Sequence, residues 1–142
     1  MYATREDMVL AFGEKECVSL TDRDFTGVID DAVMVAQLVR ASAEIDAYIA
    51  GRYPTPWPDK PRILVGRCCD ITRYFLCGSI TQVTEEIRIR YEDALRYLER
   101  VADGKISLGR TDSGEVPRSG QRITFVSAGR VFGRDNTDGG AF

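Results

Sequence analysis

The sequence predicts an all-α fold, a small antiparallel helical bundle of three main helices plus a short N-terminal helix, followed by an extended C-terminal arm. Three observations predict it. Apolar residues recur at spacings of three and four over three long stretches, capping residues stand just before the helical runs, and glycine or proline punctuates the gaps. At 142 residues, with 44% hydrophobic and 29% charged side chains, the chain is sized for one helical domain over residues 1–108 and an arm over 109–142.

The first helix is expected over Arg5 to about Phe12. Thr4 with Asp7 three residues on forms a capping box, and Gly13 closes the run. Leu20-Thr21-Asp22 reads as a linker or single turn, and Phe25-Thr26-Gly27 as a break. The second helix starts from Asp30 or Asp31 and runs to about Ala50, with Gly51 expected as a left-handed cap. Its buried stripe is Met34, Leu38, Ala41, Ile45 and Tyr48, widened by Val35, Val39 and Ile49, with Gln37, Arg40 and Glu44 opposite.

Arg52 to Lys60 alternates proline with other residues, which denies it helix and central strand and makes it a stiff connector. Trp57, within it, is expected to plug an end of the bundle. Pro61 suits the first helical position of the third helix, whose stripe is Leu64, Cys68, Ile71 and Phe75, with Arg67, Asp70 and Arg73 as a charged ladder and Gly78 as the stop. Thr84 caps the last helix, and Glu85 and Glu86 complement its dipole. Ile87, Tyr91, Ala94, Leu95, Leu98 and Val101 face inward before Gly104, and Glu86–Arg90 and Glu92–Arg96 stand in the favourable orientation four apart.

Residues 109–142 differ in character. They hold seven of the thirteen glycines and three of the six phenylalanines, with one alternating stretch, Arg122 to Val126, that suits a strand. A lone strand or hairpin is unstable in water, so this segment is expected to order itself against a partner.

The net charge of −3 divides into −4 over residues 1–108 and +1 over 109–142. An acidic body argues against gripping a duplex through a broad basic face. The absence of histidine removes the commonest general base, the usual triad partner and the commonest metal ligand. Cys17, Cys68, Cys69 and Cys77 lack metal-site spacing and read as small buried hydrophobes that stay reduced. Asp30-Asp31, Glu85-Glu86 and Asp22/Asp24 each lie at or before an expected helix start, so capping explains them better than catalysis. The glycines around Arg130 match no phosphate-binding pattern. No enzymatic activity, cofactor or metal is therefore expected. An acidic start before a short apolar stretch is not a signal peptide, and no apolar run approaches membrane-spanning length, so a cytoplasmic protein is expected.

Three blocks carry a resemblance: Ala41 to Pro54 with its Arg52-Tyr53-Pro54 break, Cys69-Asp70-Ile71-Thr72-Arg73-Tyr74, and Tyr91 to Leu98 leading into Gly104-Lys105-Ile106-Ser107-Leu108. In this order they resemble the head-tail connector (neck adaptor, head-completion) proteins of Mu-like tailed bacteriophages and prophages, over nearly the whole chain. The resemblance implies a structural virion protein, assembled in the host cytoplasm and placed in the virion neck. It implies a ring, expected to be a dodecamer, beneath the portal protein, through which double-stranded DNA passes without sequence-specific binding and onto which a neck or tail-completion protein docks. The family's C-terminal arm reaches onto the portal. Arg130-Val131-Phe132-Gly133-Arg134-Asp135 resembles its tail motif, and the end Asp138 to Phe142 departs from it. Phe125 and Phe132 are the expected apolar anchors of this portal- or neighbour-binding arm, and Arg130 and Arg134 its carboxylate-pairing forks.

The alternative is a small helical nucleic-acid-binding regulator with Ile87 to Arg100 as recognition helix, carrying Arg88, Arg90, Arg96 and Arg100. Five acidic residues from Glu85 to Glu99 interleave there, which favours an ion-paired solvated face.

Overall fold

A computed structural model describes residues 1–53, 55, 61–78 and 82–109. These residues form an all-helical bundle: α1 (Arg5–Phe12), α2 (Glu14–Thr21), α3 (Asp31–Ile49), α4 (Arg62–Leu76) and α5 (Glu85–Ala102). Helices α3, α4 and α5 pack on one another, and the α1–α2 pair lies across α3 and α4. Trp57 and the arm, with Phe125, Arg130, Phe132, Arg134 and the expected strand at 122–126, lie outside the described residues.

The capping signals act as expected at α1, α3 and α5. The Thr4 hydroxyl accepts from the Asp7 amide while the Thr4 amide donates to the Asp7 carboxylate at 2.8 Å. The Asp30 carboxylate accepts from Ala32 and Val33, and Thr84 Oγ1 from Ile87. Gly13 ends α1 but also starts α2, whose last turn takes in Leu20 and Thr21, where a linker or single turn is expected from sequence. At φ +85°, its amide donates to Val9 at 2.8 Å, and its carbonyl accepts from Cys17 at 3.2 Å. The joint makes α1–α2 a bent pair, and α2 buries Cys17, Leu20 and Thr21.

Two expected caps are placed differently. Helix α3 ends at Ile49, whose carbonyl accepts from both Arg52 and Tyr53, so Gly51 takes no left-handed conformation. Pro61 is the N-cap of α4 rather than its first helical residue, and its carbonyl accepts from Leu64.

Met34, Leu38, Ala41, Ile45, Leu64, Cys68, Ile71, Ala94, Leu98 and Val101 are fully buried, joined by Met8 from α1 and by Tyr2 from the N-terminal segment. Tyr2 is tied down twice: its amide donates to Ser42 Oγ at 2.9 Å and its hydroxyl to the Asp46 carboxylate. Val35 and Val39, expected to widen the buried stripe of α3, are 42% and 54% exposed. The α1–α2 pair and α4–α5 together cover less than the full apolar arc of α3, and alternate valines fall outside it.

All four cysteines are free and buried. Burial pushes every thiol upward, Cys69 to about 12. Thiolate is therefore scarce at neutral pH. Labelling should be slow in the native protein and return four thiols in denaturant; fewer than four would contradict the assignment. Cys68→Ala should cost roughly 1 kcal/mol in a urea titration, the scale of a small side chain lost from a packed core. Among the described residues, no helix is long and apolar enough to cross a membrane.

Candidate functional site

The surface loop between α2 and α3 is held in one shape by Asp22. Its carboxylate accepts from the amides of Thr26 at 2.8 Å and Gly27 at 2.7 Å, and from the Thr26 hydroxyl at 3.1 Å. These bonds, the backbone ones foremost, hold the carboxyl below its ordinary range. Asp22 is thus a loop brace at the C-cap of α2 and not the helix-start capping residue expected from sequence. At the loop's foot, buried Thr21 Oγ1 donates to the Cys17 carbonyl and accepts from the Asp30 amide.

The brace presents Phe25, which is 89% exposed and has φ +57°, with Val28 exposed nearby. A phenylalanine in the left-handed region costs on the order of 1 kcal/mol, and glycine would avoid the cost. Burial cannot offset this in the isolated chain. A rigid, strained loop holding out an aromatic ring has the form of a docking anchor.

A second construction ties the C-terminal ends of α3 and α5 together. Arg52, just past α3, donates to the Val101 carbonyl at 2.6 Å and the Ile106 carbonyl at 3.4 Å, satisfying groups at the C-terminal end of α5. Gly104, at φ +80°, permits this approach, because a Cβ there would lie 3.3 Å from the Arg52 guanidinium carbon. Tyr53 is buried, and its hydroxyl accepts from the Leu108 amide at 2.9 Å. The Arg-Tyr pair, read from sequence as the start of a connector, thus joins the ends of α3 and α5 and fixes the root of residues 109–142.

Charges around α4 and α5 are arranged differently from the expected ladder. Arg73 is 8% exposed and leaves the α4 surface to clasp Glu16 on α2 at 2.5 Å and Glu86 on α5 at 3.4 Å, its guanidinium lying 4.6 Å from the Phe12 ring centre. Burial opposes its charge, but the hydrogen bonds and charges of Glu16 and Glu86 outweigh this and keep it firmly protonated. On α5, Arg88 pairs with Glu85 and Glu92, Arg90 with Glu86 and Asp70, and Arg96 with Asp93. The expected Glu86–Arg90 pair forms; the Glu92–Arg96 pair does not, because Arg88 reaches Glu92 at 2.5 Å and Asp93 holds Arg96 at 2.8 Å. Three of the four arginines of the recognition-helix reading are thereby ion-paired.

Asp70 lies between Arg67 at 3.9 Å and Arg90 at 3.7 Å. Burial raises its carboxyl above the ordinary range despite both guanidinium groups. The folded state then holds a proton that the unfolded state has lost, so Asp70's contribution to stability is fullest below the unfolded value and declines as pH rises through the raised one. Asp70→Asn should gain on the native protein as pH rises from 4 to 7, read from urea midpoints. A growing loss over that range would show that the two ion pairs outweigh burial.

A groove of about 240 Å³ lies between α4 and α5, lined by Arg67, Asp93, Arg96, Tyr97 and Arg100. The Arg67 guanidinium lies 5.1 Å from the Tyr97 ring centre, and its buried Nε has no hydrogen-bond partner. Burial raises the Tyr48 phenol, and the charges of Glu99 and Glu44 raise it further; burial and Glu44 do the same to Tyr91.

The family model described as "Bacteriophage Mu, Gp36" matches residues 2–127. The chain is 37% identical over 139 residues to "Mu-like prophage FluMu protein gp36" of Haemophilus influenzae (strain ATCC 51907 / DSM 11121 / KW20 / Rd), covering 98% of this chain and 97% of that protein. It is 38% identical over 135 residues to "Gene product J" of Escherichia phage Mu, covering 94% of each. A match that spans the bundle and continues past its end, shared with a phage and a prophage, assigns the chain to the bacteriophage Mu Gp36 family.

Proposed function

We propose that this Mu-family phage protein is a head-tail connector, or neck adaptor: a structural virion protein without enzymatic activity. It assembles as a ring, expected to be a dodecamer, under the portal protein, extends the DNA channel and offers a docking surface to a neck or tail-completion protein. It is located in the virion neck after assembly in the host cytoplasm.

The observation that carries this reading is the braced loop with Phe25 held out at a conformational cost, on a chain of this family. A side chain kept exposed in a strained position serves a contact outside the chain. The root of residues 109–142, fixed by Arg52 and Tyr53, supports the reading further, because an arm serves an adaptor only if it leaves the body at a defined place. Net acidity of residues 1–108 suits a channel wall along which DNA slides without sticking.

The test is loss of the gene from its phage followed by complementation. Without the protein, DNA-filled heads and free tails should accumulate and stay unjoined. Phe25→Gly should fold at least as well as the native chain, since it relieves the left-handed strain, yet restore joining poorly. Normal tailed particles in the absence of the protein would overturn the reading.

A further inference from the structure

The Phe25 loop and the root of residues 109–142 lie at opposite ends of the bundle. The loop precedes Asp30, the N-cap of α3, whereas Arg52 and Tyr53, which hold Ile106 and Leu108, follow its last residue, Ile49. The 19 residues of α3, at about 1.5 Å each, set the two points roughly 28 Å apart. Helix α5 keeps the same order. Its last turn meets Arg52 through the Val101 carbonyl, and its first turn meets α2, which leads into the Phe25 loop, through the Arg73 clasp on Glu86 and Glu16. Val83, exposed just before the Thr84 cap of α5, therefore belongs to the loop end with exposed Phe25 and Val28.

We propose that the loop end has a partner of its own, separate from the one that receives residues 109–142: Phe25 enters an apolar pocket of the neck or tail-completion protein, with Val28 and Val83 at the rim. This names the partner of the Phe25 site and rests on the adaptor reading, in which residues 109–142 engage the portal. Distance and construction carry it. A pocket that fits one phenyl ring cannot also reach a root roughly 28 Å away, so the two ends meet different surfaces, and the end opposite the portal faces the next component. The ends are also built differently. The Asp22 carboxylate fixes the loop through the Thr26 and Gly27 amides, so Phe25 loses little further freedom on docking, whereas residues 109–142 are expected to order on contact. A preformed knob suits a partner that arrives folded. Phe25 has no polar edge, and its receiver needs depth and dryness rather than hydrogen-bonding groups.

DNA-filled heads purified from the complemented gene-loss phage and mixed with free tails separate the two ends. Phe25→Gly and Phe25→Ala should be present on heads in native amount, yet join tails at least tenfold less; Phe25→Leu should recover part of the loss. Phe125→Ala/Phe132→Ala in the full-length chain should instead be depleted from heads. Both Phe25 truncations remove the ring, but only Phe25→Gly removes the left-handed cost, so equal loss in the two assigns the effect to the ring. The proposal is overturned if the Phe25 variants are depleted from heads as the arm variant is, if they join tails normally, or if only Phe25→Gly fails. It is also overturned if Phe25→Ala weakens self-association of the purified chain in sedimentation velocity, since the receiver is then another copy. Failure of the adaptor reading is seen elsewhere, as normal tailed particles without the protein. Failure of this assignment alone leaves joining dependent on the protein and changes only the step at which Phe25 acts.

Discussion

Arg73→Ala is expected to cost about 3 kcal/mol, a shift of roughly 1.5 M in a urea midpoint for a domain of this size. The guanidinium bridges α2 and α5 from α4 and lies against Phe12 of α1, so four helices meet on one side chain. Truncation leaves Glu16 without its 2.5 Å partner in a half-buried position, releases Glu86 and opens a gap under Phe12. Glu16 and Glu86 retain access to water, which keeps the loss at the lower end of that for a broken buried pair. Arg73→Lys should fall between, because an ammonium keeps the charge but neither the planar stacking nor the two-sided fork. A double-mutant cycle with Glu16→Gln should give a coupling above about 1 kcal/mol. If Arg73→Ala shifts stability by less than about 0.5 kcal/mol, the clasp is only a surface ion pair and the α1–α2 unit is held by apolar packing alone.

Arg73 also shows where sequence reasoning stops. Its spacing from Arg67 and Asp70 places all three on one α4 surface, but partners on α2 and α5 are chosen by tertiary packing, which no local pattern encodes. The bundle itself was legible because its signals are local: the Thr4, Asp30 and Thr84 caps and the stripe of α5 depend on neighbours within a turn or two. Helix α2 was missed although Cys17, Leu20 and Thr21 have the right spacing, since eight residues directly after a helix-ending glycine give too short a periodic run. Val35 and Val39 satisfied the periodicity of a core and are nonetheless half exposed. Singly exposed valines are ordinary on a protein surface, and periodicity alone does not tell which side chains of an apolar arc the fold covers. The loop of Phe25 left a fainter trace. Phe25 before Thr26-Gly27 reads only as a break, and its exposure depends on the Asp22 brace. The Arg52-Tyr53 pair was visible as a motif but not as a clamp, because Val101, Ile106 and Leu108 lie about fifty residues away.

Deleting Arg110 to Phe142 should leave the bundle folded and abolish joining of DNA-filled heads to tails. Independence of the bundle follows from its packing: the caps, the buried stripes and the Arg73 clasp all lie before residue 109, and the Tyr53–Leu108 bond is retained. Helical circular dichroism per bundle residue and the urea midpoint should therefore change little. Loss of joining follows from what the segment carries, if it orders itself on the portal or a neighbouring subunit. Phe125 and Phe132 are then anchors, each contributing about 2 kcal/mol or more at an interface hot spot, and Arg130 and Arg134 are forks for carboxylates. The roughly 4 kcal/mol of two anchors alone corresponds to about a thousandfold in affinity, enough to empty the site at cellular concentrations. Phe125→Ala with Phe132→Ala should reproduce most of the deletion, and Arg130→Lys with Arg134→Lys a smaller part. Amides of this segment should exchange quickly in the free protein and slowly in assembled particles, since ordering on a partner is what the anchors provide. Should the truncated chain join heads and tails at normal yield, the segment is dispensable, and the surface of the bundle, the loop of Phe25 included, must supply the whole docking energy.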